Sequence, residues 1–386
     1  MIAPEFIQRF NELETPFYFY DLDLLRKTLD SALNEAGKFG YSIHYALKAN
    51  NNDAVLKVIR ECGLGADCVS GNEITKCINL GFPANKIAFA GVGKTDKEIV
   101  TGLEHEIFSF NCESIPELEV INDIAGQMGK VAPVAIRINP DVDPKTHKYI
   151  STGLKDSKFG INHWDFDEVA MKLKSLENIR MVGIHFHIGS QITDISVFKQ
   201  LSLKINLIRE WFEENGFSPE HINVGGGLGI DYQNPEENQI PDFKSYFEAF
   251  QNNLVLKPGQ KLHFELGRSL IGQCGYFITR VLYVKKGIET KFLIVDGGMN
   301  DLIRPALYQA THKFSSLSSN KQLEKYDVVG PVCESADVFI KGVFLPESKR
   351  GDLIAVHSAG AYGQVMASTY NMRTLVKAYD SDSIFE

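Results

Sequence analysis

Lys48 stands at the end of a β-rich run within HYALKAN, residues 44–50. An ammonium group facing the inside of a domain is costly unless it is paired or gives up its proton. Lys48 is therefore either a salt-bridged lumen lysine or a nucleophilic amine able to form a Schiff base with a carbonyl carbon. Residues 225–229 read GGGLG, directly after another β-rich run. Glycine lets backbone N–H groups approach an anion closely, but turns need it too, so this cluster gains meaning only from its place in the fold. His187 opens the turn HIGSQ, with His185 two positions earlier. The two could be half of a metal site, but no third ligand stands at useful spacing, and no metal is expected. A packed or hydrogen-bonded histidine is the alternative. Glu265 could form an ion pair with Lys48 or Arg268, or keep a ring nitrogen protonated.

These residues need a scaffold. Between residues 41 and 267, eight β-rich runs (41–48, 65–70, 87–90, 107–110, 133–139, 181–188, 221–224 and 261–266) start 20 to 48 residues apart. Each gap holds one crossover helix. Residues 53–61 place Val55, Leu56, Val58 and Ile59 at helical spacing after Asn52 or Asp53 as N-cap; 73–80, 115–126 and 198–215 read the same way. Eight strand–helix units predict a (β/α)₈ barrel, although a doubly wound open sheet would alternate too. Strand phase favours the barrel. Ile43, Tyr45 and Leu47 oppose His44, Ala46 and Lys48, while Leu262, Phe264 and Leu266 oppose His263, Glu265 and Gly267. Residues 134–139 and 182–188 likewise put Arg137, His185 and His187 on one face. Ionisable groups near the C-terminal ends of several strands fit a polar barrel mouth. After Gly267 the chain turns β-rich with few helical patterns. The expected division is a barrel over 22–267 and a β-domain formed by 1–21 and 268–386, with the strand-like TPFYFY (15–20) pairing into the latter. Residues 315–320 read as a polar loop.

A lysine, a glycine turn after strand seven, a flat imidazole and a carboxylate at one barrel mouth fit pyridoxal 5′-phosphate. At this point the chain resembles a family, the alanine-racemase-fold (fold-type III) pyridoxal-phosphate decarboxylases. The resemblance rests on YALKAN (45–50), GADCVS (65–70), KFG (158–160), HFHIGSQ (185–191), GGGLG, ELGR (265–268), DGGMNDLIRPALY (296–308), GPVCESAD (330–337) and AGAYG (359–363), in family order. It implies that Lys48 carries the cofactor and His187 stacks on its ring. Ser190, Gly226, Gly227 and the backbone of Gly267–Arg268 would hold the phosphate, and Glu265 would pair with the ring nitrogen. Arg268, Arg304, Tyr308, Glu334 and Tyr362 would contact substrate, Tyr362 also lying near the cofactor. Cys333 would be catalytic, and Cys333 and Glu334 would reach the neighbouring subunit's site, which implies a homodimer with shared active sites. Asp67 and Arg137 match positions near the cofactor. Leu266 stands where the family usually has proline, which restores a backbone N–H and frees φ.

Within the family the resemblance points to the branch acting on meso-2,6-diaminopimelate, with L-lysine and CO₂ as products. Arg304 suits a distal carboxylate through bidentate bonds, and ornithine has no such group. Decarboxylases of carboxynorspermidine, ornithine or arginine are the alternatives. Barrel-only pyridoxal-binding proteins lack residues corresponding to 268–386. Racemisation needs a base on each cofactor face, for which Cys333 is a candidate.

Composition agrees with an enzyme. The 386 residues are 44% hydrophobic and 23% charged, with 40 Lys plus Arg against 49 Asp plus Glu, a net charge of −9. An acidic chain without a basic block lacks the footprint for nucleic acid or anionic membrane. The first ten residues show neither a basic nor an apolar leader pattern, so a cytoplasmic location is expected. Six cysteines, none in a Cys-x-x-Cys pair, do not form a disulfide framework.

Overall fold

The computed structural model describes residues 2–143 and 158–386. Strand β1 (Phe17–Tyr20) precedes a closed parallel barrel. The barrel strands are β2 (Ser42–Ala46), β3 (Gly65–Cys68), β4 (Ile87–Phe89), β5 (Ser109–Cys112), β6 (Ala132–Arg137), β7 (Ile179–His185), β8 (His221–Asn223) and β9 (Lys261–Leu266). Each pairs with the next, and β9 closes on β2 with Tyr45 opposite Leu266. Leu266 is thus a buried ladder residue rather than the start of a loosened turn.

All eight expected strands are present, and closure excludes the open sheet. The helix Asp53–Glu61 follows β2 as expected, and Asn52 caps it by accepting from the amides of Ala54 and Val55. Val55, Leu56, Val58 and Ile59 are its buried stripe. One expectation is corrected locally. Lys48 does not end the strand; β2 stops at Ala46 and Lys48 sits in the single 3₁₀ turn Leu47–Ala49.

Strand phase sorts the side chains as the alternation demands. Phe264 points outward onto Tyr246, Phe247 and Phe250 of the helix Phe243–Gln251. The opposite faces fill the lumen in two tiers. Low in the barrel, His44 meets His263 at 2.8 Å, and the Phe108 ring packs on His44, His221 and His263. A Cβ on Gly183 would lie 2.5 Å from the His221 ring, so only glycine leaves room for it. The upper tier, two residues further along β7, β8 and β9, holds His185, Asn223 and Glu265.

The second sheet contains β10 (Gly275–Lys286), β11 (Lys291–Val295), β12 (Phe314–Ser316), β13 (Leu323–Val329), β14 (Val338–Pro346) and β15 (Leu353–Val356), in the order β12-β15-β10-β11-β13-β14. Strand β1 pairs antiparallel with β10 and parallel with β16 (Lys377–Asp380). Its four aromatic residues are all buried because both faces are covered. Tyr18 and Tyr20 join the main core, while Phe17 and Phe19 join a smaller one with Phe10, Tyr276 and Ile278. Of residues 315–320, read as a loop, Ser315 and Ser316 belong to β12 and the rest is irregular. Among the described residues no helix is long and apolar enough to cross a membrane.

Candidate active site

Seven of the expected residues line one cavity of about 480 Å³: Lys48, Arg137, His187, Ser190, Arg268, Tyr308 and Tyr362. Phe159 and the 90–94 segment also line it. Lys48 Nζ lies 3.3 Å from Asp67 Oδ2 at the end of β3. Burial alone would lower the lysine pKa, but Asp67 and, behind it, Tyr362 and Glu265 outweigh that and raise it above the ordinary value. Asp67 is fully buried and its other oxygen has no hydrogen-bond partner among the described residues.

Glu265 lies one layer below. Its Oε1 accepts from Asn111 Nδ2 at 3.0 Å and Asn223 Nδ2 at 2.7 Å, and its Oε2 from His185 Nε2 at 2.8 Å. Burial would raise this carboxyl, but His185, Lys48 and His187 hold it well below the usual range. The ion pair considered for Glu265 with Lys48 or Arg268 is not made; its direct partner is His185. That contact also accounts for His185, and the described residues contain no group of three or more metal-binding side chains.

The loops after β7, β8 and β9 converge on the rim. Gly226 donates from its amide to His187 Nδ1 at 3.3 Å, and a Cβ there would lie 2.1 Å from the Glu265 carbonyl oxygen. Gly227 has φ +111°, a conformation L side chains rarely adopt. The turn can therefore pack directly against the end of β9 and the HIGSQ turn. His187 is held neutral, its pKa pushed well below the ordinary value by burial and then by Lys48 and Arg137. Arg268 donates through Nη2 to Ser190 Oγ at 3.1 Å and stacks 4.9 Å from the Tyr362 ring. Tyr362 comes from the segment after β15 and is fastened to the barrel by its own amide, which donates to the Ala49 carbonyl at 2.7 Å. Its φ of +56° is maintained by that tie.

A second cavity, of about 770 Å³, shares Arg268 and Tyr308 with the first and adds Tyr232 and Arg304. Glu334 and Cys333 are exposed on the loop before β14 and line neither cavity. That loop is shaped by Asp337, whose carboxylate accepts from the amides of Met299 and Val332 at 2.7 Å each. Asn371 accepts from the Cys333 amide at 2.9 Å.

The family profile described as "Pyridoxal-dependent decarboxylase, pyridoxal binding domain" matches residues 22–272. The chain is 56% identical to the diaminopimelate decarboxylase of Bacteroides thetaiotaomicron over 379 residues, 98% of each chain. It belongs to the diaminopimelate decarboxylase family. The Aquifex aeolicus member is 41% identical over 368 residues, covering 93% of this chain and 84% of that one. The crystal structure of the Helicobacter pylori enzyme complexed with L-lysine superposes with a TM-score of 0.91 at 39% identity, covering 97% of this chain and 94% of that one.

Pyridoxal phosphate is the family's cofactor, and the residues here fit it. The cavity presents a lysine amine, a neutral flat imidazole, and Ser190 with Arg268 as donors for an anion. Beneath them lies a carboxylate kept ionised by its three donors. Four residues had no role assigned from the sequence: Tyr232, His312, Asn111 and Asn223. The two asparagines occupy inward positions of β5 and β8, so strand phase could have found them.

Proposed function

We propose that this chain removes one carboxylate of meso-2,6-diaminopimelate as CO₂ and leaves L-lysine, using pyridoxal phosphate held at Lys48. The observation that carries the substrate choice is a pair of arginines. Arg268 and Arg304 are 5% and 4% exposed, and neither has a carboxylate ion-pair partner among the described residues. Buried cations need an anion, and guanidinium matches a carboxylate in two-point geometry. Ornithine has no second carboxylate to supply.

In this reading Lys48 would hold the cofactor through its amine, and the flat His187 imidazole would support the ring. Ser190 and the backbone of Gly226, Gly227 and Gly267–Arg268 would hold the phosphate, while Glu265 would keep the ring nitrogen protonated. When bound, the cofactor accepts the electrons left at Cα as CO₂ departs. Tyr308 and Tyr362 pack the substrate beside Arg268. The Cys333 thiol returns a proton to Cα, and Glu334 takes the far ammonium. We place both in the site of the neighbouring copy within a cytoplasmic homodimer. What supports this is that both stand outside their own chain's cavities, on a loop held outward by Asp337.

Arg304→Lys tests the reading, because a point charge replaces a two-point fork. The KM for diaminopimelate should rise roughly tenfold or more with cofactor content unchanged. An unchanged KM would remove the argument for the second carboxylate.

A further inference from the structure

We propose that His312, as a neutral imidazole carrying its hydrogen on Nδ1, is the positioning residue that sets the direction of Arg304. Tyr232 then couples Arg304 to Arg268, so that the two guanidinium groups meet the far carboxylate as one preset receptor. The proposal rests on the reading of those arginines given above.

The hydrogen-bond chemistry leaves one protonation state for His312. Its Nδ1 lies 2.8 Å from the carbonyl oxygen of His357, which can only accept, so Nδ1 carries a hydrogen. Its Nε2 lies 2.9 Å from Arg304 Nη1, which can only donate, so Nε2 offers its lone pair. Only the neutral ring meets both demands. The ring is 3% exposed, and burial followed by Arg304 pushes its pKa down to about 3, against the opposing hydrogen bond to the His357 carbonyl.

Tyr232 ties the two arginines together. Its hydroxyl accepts from Arg268 Nη1 at 2.6 Å, its face lies 4.9 Å from Arg304 Cζ, and its ring meets His312 edge-on at 5.2 Å. The side-chain partners of the pair, Ser190, Tyr232 and His312, include no carboxylate. The positive charge therefore stays uncompensated until an anion arrives. A guanidinium tied by one arm cannot swing to seek another acceptor, so its orientation is set before binding. Substrates without the far carboxylate would have to share the site with two desolvated cations.

Two measurements test this. In His312→Leu both bonds are lost; the KM for diaminopimelate should rise about tenfold or more while kcat changes less than about threefold. His312→Gln offers an acceptor to Arg304 and a donor to His357, and should recover most of the lost affinity. Equal KM values in all three proteins, or a kcat loss as large as the KM effect, would overturn the proposal. Independently of activity, ¹⁵N NMR of histidine-labelled protein, with His312 assigned by its disappearance in His312→Gln, should show hydrogen on Nδ1 alone at pH 7. Hydrogen on Nε2, or on both nitrogens, would overturn it. If the unsubstituted protein releases no CO₂ from diaminopimelate, the functional reading falls, and the tautomer result then decides the His312 assignment alone.

Discussion

Lys48, in the turn after β2, and Asp67, on β3, are bound to each other, Nζ to Oδ2 at 3.3 Å, with the aspartate fully buried. The pairing keeps the lysine charged, whereas capture of an aldehyde needs the neutral amine. Asp67→Asn removes the largest influence raising the Lys48 pKa. The cofactor-free variant should therefore take up pyridoxal phosphate several-fold faster at pH 7 than the unsubstituted protein, followed by absorbance. Slower uptake would mean that Asp67 orients the amine more than it charges it.

Glu265→Gln should lower kcat by about tenfold to a hundredfold while cofactor content holds, since an amide cannot keep a ring nitrogen protonated. All three partners of the carboxylate donate to it, so the new NH₂ gives up at least one charge-assisted bond. Stability should fall by about 1–3 kcal/mol in urea titrations. Full activity would reduce Glu265 to a structural partner of His185.

The lower histidine tier predicts acid sensitivity. His44 donates from Nδ1 to the Lys86 carbonyl, and burial lowers the pKa of both rings, so the neutral His44 accepts at Nε2 from His263 Nδ1. Burial and then His44 push His221 to about 3 and His263 to about 2. Their folded pKa values lie below the unfolded value near ~6.5, so the unfolded chain binds the extra protons. Stability is complete above pH ~6.5 and declines on acidification toward pH 3, by about 1.4 kcal/mol per pH unit for each ring. His263→Gln, which keeps a donor for His44, should flatten that slope by about one proton between pH 6 and 4. An unaltered slope would place the acid sensitivity elsewhere.

Shared active sites predict complementation. Lys48→Ala and Cys333→Ala should each be inactive, yet equal amounts mixed under subunit exchange should recover at most about one quarter of the unsubstituted activity, since half the dimers are mixed and each has one intact site. No recovery, with exchange shown by mass, would put Lys48 and Cys333 in one chain's site or remove Cys333 from catalysis.

Much of this architecture was legible because a barrel strand must alternate its faces. Phe264 and Glu265 are neighbours with opposite surroundings, and the pattern alone sends one to the helices and the other to the lumen. Lys48 shows the limit of that rule, since the strand ends two residues earlier and a 3₁₀ turn carries the amine to the mouth. Strand β12 was missed because three residues, two of them half-buried serines, leave almost no periodic signal. Tyr232 and His312 were invisible for another reason. Their chemistry exists only where the loop after β8 meets the segment following Arg304, and no local spacing encodes that meeting.

The most direct test of the central claim compares kcat/KM for meso-2,6-diaminopimelate, L-ornithine and L-arginine with the purified, cofactor-loaded protein, measuring CO₂ and the amine product together. The account predicts one L-lysine per CO₂ from diaminopimelate and at least about a hundredfold lower kcat/KM for the other two, the cost of leaving two buried guanidinium groups without their carboxylate. Ornithine or arginine turned over as efficiently, or diaminopimelate epimerised without CO₂, would contradict it.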